Sequence, residues 1–241
     1  MEAAKENFVN DRISSSKKLQ AHFLDGPQLQ ENVTRFWLIR HAVVDSSVRK
    51  LMYGADNVPL CPTSLRQQEP IYERLACRLP KNADWISSPL KRAIHTAEAI
   101  KKAGNFEGTL QIESGFIEQS LGEWSSLPHQ DFSLYPEQNP HYFWPLSATE
   151  RPPQGESMED VQKRVGTALD YWADKNLGKE TIIISHGGAI RMALAHALGI
   201  SATSALHFVI QNLSVTALEH IDGQWRVIMV NTLSHFEESA E

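Results

Sequence analysis

The residues able to do chemistry stand at the ends of three apolar runs. Arg40-His41 follows TRFWLI, Arg92 lies inside SSPLKRAIHTAEAI (residues 87–100), and His186-Gly187-Gly188 follows TIIIS. An arginine presents a planar fork of donors that suits a phosphate. Ser-Ser-Pro reads as a helix start, with Ser88 as N-cap and Pro89 in the first helical position. Arg92 then falls in a first turn, where the helix dipole disfavours a cation. A helix N-terminus is also a natural anion site, and an anion lying between the dipole and Arg92 removes the conflict. The glycines after His186 permit close backbone approach at a second helix start. Each feature alone has a plain structural explanation, a packed histidine or a solvated arginine. Together they point to a phosphoryl group.

For these side chains to meet, the runs before them must be neighbouring strands, because ligands of open α/β sheets bind beyond the carboxyl ends of the strands. Residues 34–40, 83–87 and 109–113 read as strands, and residues 181–185 as a central strand covered on both faces. Helices are expected over residues 63–78, 89–103 (with Gly104 just past the end), 157–176 and 189–198. Residues 215–221 and 224–231 flank Asp222-Gly223, a strong hairpin signal. The alternation predicts a three-layer α/β/α domain over residues 33–241, with a mostly parallel central sheet and an antiparallel final hairpin. Residues 1–32 read as a polar N-terminal extension, either disordered or a short helix. Residues 121–155, rich in proline and aromatic side chains, read as a lid or insert.

A chain of 241 residues, 41% hydrophobic and 22% charged, has the material for a sizeable core. Its formal net charge of −6 argues against nucleic-acid or membrane partners, so any anion must be met by a local cluster of cations. Cys61 and Cys77 give neither a disulfide framework nor a metal-ligand spacing. They read as reduced thiols. The first residues lack the pattern of a secretory signal, and no apolar run approaches the ~18 residues of a membrane span. The expectation is a cytoplasmic protein with a small phosphorylated substrate and neither metal nor cofactor; a homodimer is compatible with it. No G-x-S-x-G elbow and no cluster of metal ligands offers a rival chemistry.

Arg40-His41, YGADNVPL (residues 53–60), SSPLKRAIHTAEAI, FIEQSLGEW (116–124), PPQGES (152–157) and SHGGAIR (185–191) occur in this order. Over about residues 34–198 the chain thereby resembles the histidine phosphatase superfamily, also called phosphoglycerate-mutase-like. The resemblance implies a phosphohistidine mechanism with His41 as nucleophile and Glu118 as general acid. It implies that Arg40, Arg92 and His186 clamp the phosphoryl oxygens, with the Gly187 amide as a further donor and no metal. Glu123 competes with Glu118, but its place beside Trp124 matches a structural part of the motif. Arg191 reads as a salt-bridge residue, and His95, His129 and His141 are left outside the site.

The first motif departs from the common Gly-Glu-Thr form, with Ala42-Val43-Val44 after the histidine. Ser46 or Ser47 would have to replace the lost threonine hydroxyl. WSS at residues 124–126 likewise replaces Trp-Glu-Gly. PPQGES and the short, base-poor stretch 121–155 resemble the phosphatase branch. They favour a phosphomonoester hydrolase, acting on a small metabolite, over a phosphoglycerate mutase-type phosphotransferase. A catalytically weak phosphate-binding homologue stays open. Trp124, Phe132, Tyr135, Tyr142, Phe143 and Trp144 either pack against a leaving group or fill a small core of the loop itself.

Overall fold

The computed structural model describes residues 32–233. The polar extension expected at residues 1–32 lies, but for Asn32, outside the described residues. Six strands form the main sheet: β1 (Val33–Arg40), β3 (Asp84–Ser87), β4 (Leu110–Ile112), β6 (Glu180–Ser185), β7 (Val215–Ile221) and β8 (Gln224–Thr232). Their order is β4-β3-β6-β1-β7-β8. β6 pairs in parallel with β1 and β3, and β3 with β4. β7 returns antiparallel against β1 and β8 antiparallel against β7. Two-residue strands β2 (Leu51–Met52) and β5 (Leu127–Pro128) make a separate small sheet.

Side-chain alternation along the strands builds a core on each face. Phe36, Leu38 and Ile183 point to one side, where they meet Val161, Val165 and Leu169 of α5 (Met158–Lys175) and Ile190 and Leu194 of α6 (Gly187–Leu198). Ile39, Ile182 and Ile184 point to the other, against Leu75 of α2 (Glu69–Arg78) and Ala93, Ala97 and Ile100 of α3 (Lys91–Gly104). These are the three layers read from the sequence.

Local chemistry moved several boundaries. The helix expected over residues 63–78 is two helices, α1 (Pro62–Gln67) and α2, divided at Gln68 because Pro70 cannot donate into a continuous ladder. α3 begins at Lys91 behind Leu90, which makes no side-chain cap bond, so neither Ser88 nor Pro89 plays its expected part. Gly104 is helical, and Asn105 supplies the left-handed C-cap at φ 51°. α6 starts two residues early, at Gly187 directly behind His186. Ser157 caps α5 as expected: its hydroxyl accepts from Asp160 N while the Asp160 carboxylate accepts from Ser157 N. Between β5 and α5 lies α4 (His129–Phe132), and α7 (Ala202–Ala205) follows α6. No helix among the described residues is long and apolar enough to cross a membrane.

Candidate active site

The strand order brings the chemistry together. β6 lies between β1 and β3, with Arg40 opposite Ser185 and Ser87 opposite Ile184. His41 N then donates to the Ser185 carbonyl at 2.9 Å, and Ser88 N to the Ile184 carbonyl at 3.0 Å. Three strand ends therefore release Arg40-His41, Ser88 and His186 at one edge of the sheet.

His41 is 2% exposed, and its ring centroid lies 5.1 Å from that of His186. Its Nδ1 is 2.7 Å from the Ala42 carbonyl. A carbonyl only accepts, so Nδ1 carries the proton and Nε2 keeps its lone pair. Burial, then the charges of Arg92 and Arg40, hold the His41 pKa well below the ordinary 6.5, which keeps the ring neutral at neutral pH.

Arg92 is wholly buried. Its Nε donates to His186 Nδ1 at 3.2 Å, and its Nη atoms donate to the carbonyls of Asp56 and Gly54 at 2.5 and 2.6 Å. Tyr53 lies beneath the guanidinium at 5.3 Å. Three of its five N–H groups are thus engaged, leaving two. Because Arg92 only donates, His186 Nδ1 is the acceptor, and Nε2–H donates to Ser88 Oγ at 2.7 Å. Burial first, and then the nearby positive groups, push the His186 pKa well below 6.5. Both ring nitrogens of His186 therefore face protein partners, and its immediate work is to orient Arg92.

Arg40 donates from Nη1 to the Ile210 carbonyl at 2.6 Å, while its buried Nε has no acceptor among the described residues. A buried donor left open costs about 1–3 kcal/mol. Gly187 packs under this guanidinium, where a Cβ would stand 3.4 Å from Arg40 Nε. Glu118 reaches across to the same helix start. One oxygen accepts from Gly188 N and the other from Gln119 N, both at 3.0 Å. All six residues singled out from the sequence, Arg40, His41, Arg92, Glu118, His186 and Gly187, therefore occupy one cluster. Among the described residues no group of three or more His, Cys, Asp or Glu is placed to hold a metal ion.

A sequence model of the histidine phosphatase superfamily (branch 1) matches residues 36–233, from β1 through β8. The chain belongs to that superfamily. Phosphoglycerate mutase-like protein 4 of Arabidopsis thaliana is 28% identical over 205 residues, 84% of this chain and 86% of that protein. The solved mycobacterial glucosyl-3-phosphoglycerate phosphatase in complex with VO3 has a TM-score of 0.71 at 24% identity, covering 82% of this chain and 98% of its own. The α-ribazole phosphatase of Shigella flexneri has a TM-score of 0.66 at 23% identity, covering 82% and 96%. At these identities the two structures speak for the fold, which is phosphoglycerate-mutase-like, as expected.

The sequence assigned no role to several residues around this cluster. Thr96 Oγ1 accepts the Ala42 N–H at 2.9 Å and donates to the Arg92 carbonyl at 2.7 Å. Asn212 Nδ2 donates to the carbonyls of His41 and Ala42 at 2.7 and 3.3 Å. The Glu156 carboxylate accepts Ser120 N and pairs with Arg164, which also holds the Gly115 and Ile117 carbonyls. PPQGES thereby steadies the loop that carries Glu118. Arg191 makes no ion pair among the described residues, contrary to expectation. It donates to the carbonyls of Phe208 and Gly187 and stacks on Trp144, and burial pulls its pKa down to about 10.

The aromatic residues of the insert differ in their surroundings. Trp124 and Phe132 pack together with Met52, Leu121 and Leu146 as a small core of the loop. Trp144 is partly buried against the same cluster, with its N–H on Gln119 Oε1 and its face on Arg191. Tyr142 and Phe143 are exposed.

Proposed function

We propose that this chain is a phosphomonoester hydrolase that works through phosphohistidine at His41 on a small phosphorylated metabolite. The observation that carries the reading is the state of His41: a neutral imidazole, tied at Nδ1, presenting an Nε2 lone pair among guanidiniums. Arg40 Nε, the two unused N–H groups of Arg92 and the Gly187 amide at the start of α6 are the donors for the phosphoryl oxygens. His186 acts in the clamp through the bond that orients Arg92.

Nε2 attacks phosphorus in line while the ester P–O bond breaks, and its electron pair stays on the leaving oxygen. That oxygen takes a proton from Glu118. The imidazole now carries phosphorus on Nε2 and a proton on Nδ1, and the Ala42 carbonyl supports its positive charge. Water then attacks phosphorus and gives its proton to Glu118, the P–N pair returns to Nε2, and phosphate leaves. The work is positioning and charge stabilisation, which these residues supply without a metal ion.

The test is to trap the intermediate. Enzyme mixed with a ³²P-labelled phosphomonoester and quenched in alkali is expected to hold acid-labile label on His41, and His41→Ala none. Active enzyme that never takes up label would remove the mechanism. A mutase would show the same label but return it to a second acceptor, which product analysis separates. A weak phosphate-binding homologue would bind vanadate and release no phosphate.

A further inference from the structure

The segment between α7 and β7 folds back around the nucleophile. Leu213 N donates to the Arg40 carbonyl at 2.9 Å, and Arg40 N to the Ser214 carbonyl at 3.3 Å. Arg40 Nη1 binds the Ile210 carbonyl, and Gln211 N donates to Asn231 Oδ1 at 2.7 Å. Asn212 is therefore held from both sides. Leu213, buried at 2% exposure, takes φ +60°, a left-handed conformation that a branched residue seldom adopts. Such strain persists only where surrounding structure enforces it, and it gathers at functional positions.

The Asn212 amide nitrogen serves two consecutive carbonyls, those of His41 and Ala42. Both neighbours are acceptors, so the NH₂ end of the amide faces them. In an extended strand, successive carbonyls point to opposite sides. Here one nitrogen reaches both, because the chain leaves β1 after Arg40 and turns. The Ala42 carbonyl is the acceptor that fixes the proton on His41 Nδ1. The same peptide neighbourhood is held at Ala42 N by Thr96, which bonds to the Arg92 carbonyl.

We propose that Asn212 is a positioning residue for the phosphoryl-transfer step, holding the His41 and Ala42 carbonyls so that His41 stays in the Nδ1–H tautomer with Nε2 facing phosphorus. This rests on the reading of His41 as nucleophile. Asn212 acts through the His41 and Ala42 carbonyls. Its removal frees the Ala42 carbonyl to rotate, which releases the ring to the other tautomer and turns the lone pair away.

The experiment combines single-turnover kinetics with ¹⁵N-histidine NMR on the full chain, using Asn212→Ala, Asn212→Ser and Asn212→Asp. Asn212→Ala is expected to slow phosphorylation of His41 about 10- to 100-fold, the scale of a small misplacement of a reacting group, with KM changed less than about threefold. Its His41 ¹⁵N shifts should report a mixture of tautomers where the parent shows one. Asn212→Ser, which keeps one donor, should recover part of the rate. Asn212→Asp, nearly the same shape without a donor, should recover none. Inorganic phosphate binding and the urea midpoint of folded variants report the cage and the fold separately, and Asn212→Ser supplies the comparison if the alanine variant does not fold. A phosphorylation rate within twofold of the parent, or an unmixed Nδ1–H tautomer in the slowed variants, overturns the proposal. If the parent itself never becomes phosphorylated, the reading of His41 falls instead, and the NMR comparison still decides whether Asn212 sets the tautomer.

Discussion

Glu118 meets Gly188 N with one oxygen and Gln119 N with the other, a geometry that aims it at the start of α6 beside His41 and Arg92. A carboxylic acid so placed matters in proportion to how badly the leaving group needs a proton. Glu118→Ala is expected to lower turnover of alkyl phosphates by about 10²–10⁴-fold, the ordinary range for general-acid catalysis. p-Nitrophenyl phosphate, with its good leaving group, should suffer far less. Equal losses on both substrates, measured as kcat/KM, would take Glu118 out of the acid role. Glu123 makes a sharp contrast, since it stands in the short 3₁₀ turn Gly122–Trp124, whose N–H groups bond within the loop.

At the scale of the element, α6 shows why two glycines open a helix at this site. A Cβ at residue 188 would stand 2.3 Å from Glu118 Oε1, so Gly188→Ala must displace that carboxylate. Alanine is also the better helix former, by about 1 kcal/mol. Stability and activity should therefore part company. The urea midpoint is expected to hold or rise while turnover of alkyl phosphates falls at least about tenfold, comparable to the low end of losing the acid altogether. An active Gly188→Ala would show that Glu118 need not sit where it does. α5 offers the opposite case, a cap with no part in the chemistry. Ser157→Ala removes one half of the reciprocal bonding with Asp160 and should cost about 1 kcal/mol in urea unfolding. Its effect on kcat should be small.

For the whole molecule, His41 and His186, both buried, tie stability to pH. Burial is the leading cause for both, and it lowers the pKa of His41 and of His186 well below 6.5 in the folded state. In the unfolded chain each titrates near 6.5. Above that pH both states hold the rings neutral and the dependence vanishes. Below it the unfolded chain takes up protons that the native state refuses, so stability falls as the solution is acidified. Each ring contributes a slope of up to about 1.4 kcal/mol per pH unit in that window. Urea unfolding between pH 7.5 and 5 should show the decline, and His41→Asn should make it shallower. Identical slopes for parent and variant would mean that His41 takes up its proton in the native protein over the same pH range as in the unfolded chain. The same neutrality keeps the proposed nucleophile available, so activity should not be lost through His41 protonation until well below pH 6.5.

Much of this design was legible along the chain, because it rests on local pattern. Runs of apolar β-formers mark β1 and β6 as buried strands, Asp222-Gly223 marks the hairpin, and the order of motifs places Arg40, His41, Arg92 and His186 at strand or helix ends and Glu118 in a loop. Other signals were local too but ambiguous: Ser88 has the look of an N-cap, yet its hydroxyl serves His186. What only the tertiary structure decided are the bonds that join distant segments. His186 meets Arg92 and Ser88 across 94 and 98 residues, and Asn212 meets His41 across 171. No periodicity or spacing records such a meeting. It exists because β6 lies between β1 and β3, and because the chain between α7 and β7 closes over the end of β1. Residue types declare what they can bond; only the folded chain, by excluding water and choosing neighbours, decides which of those bonds are made.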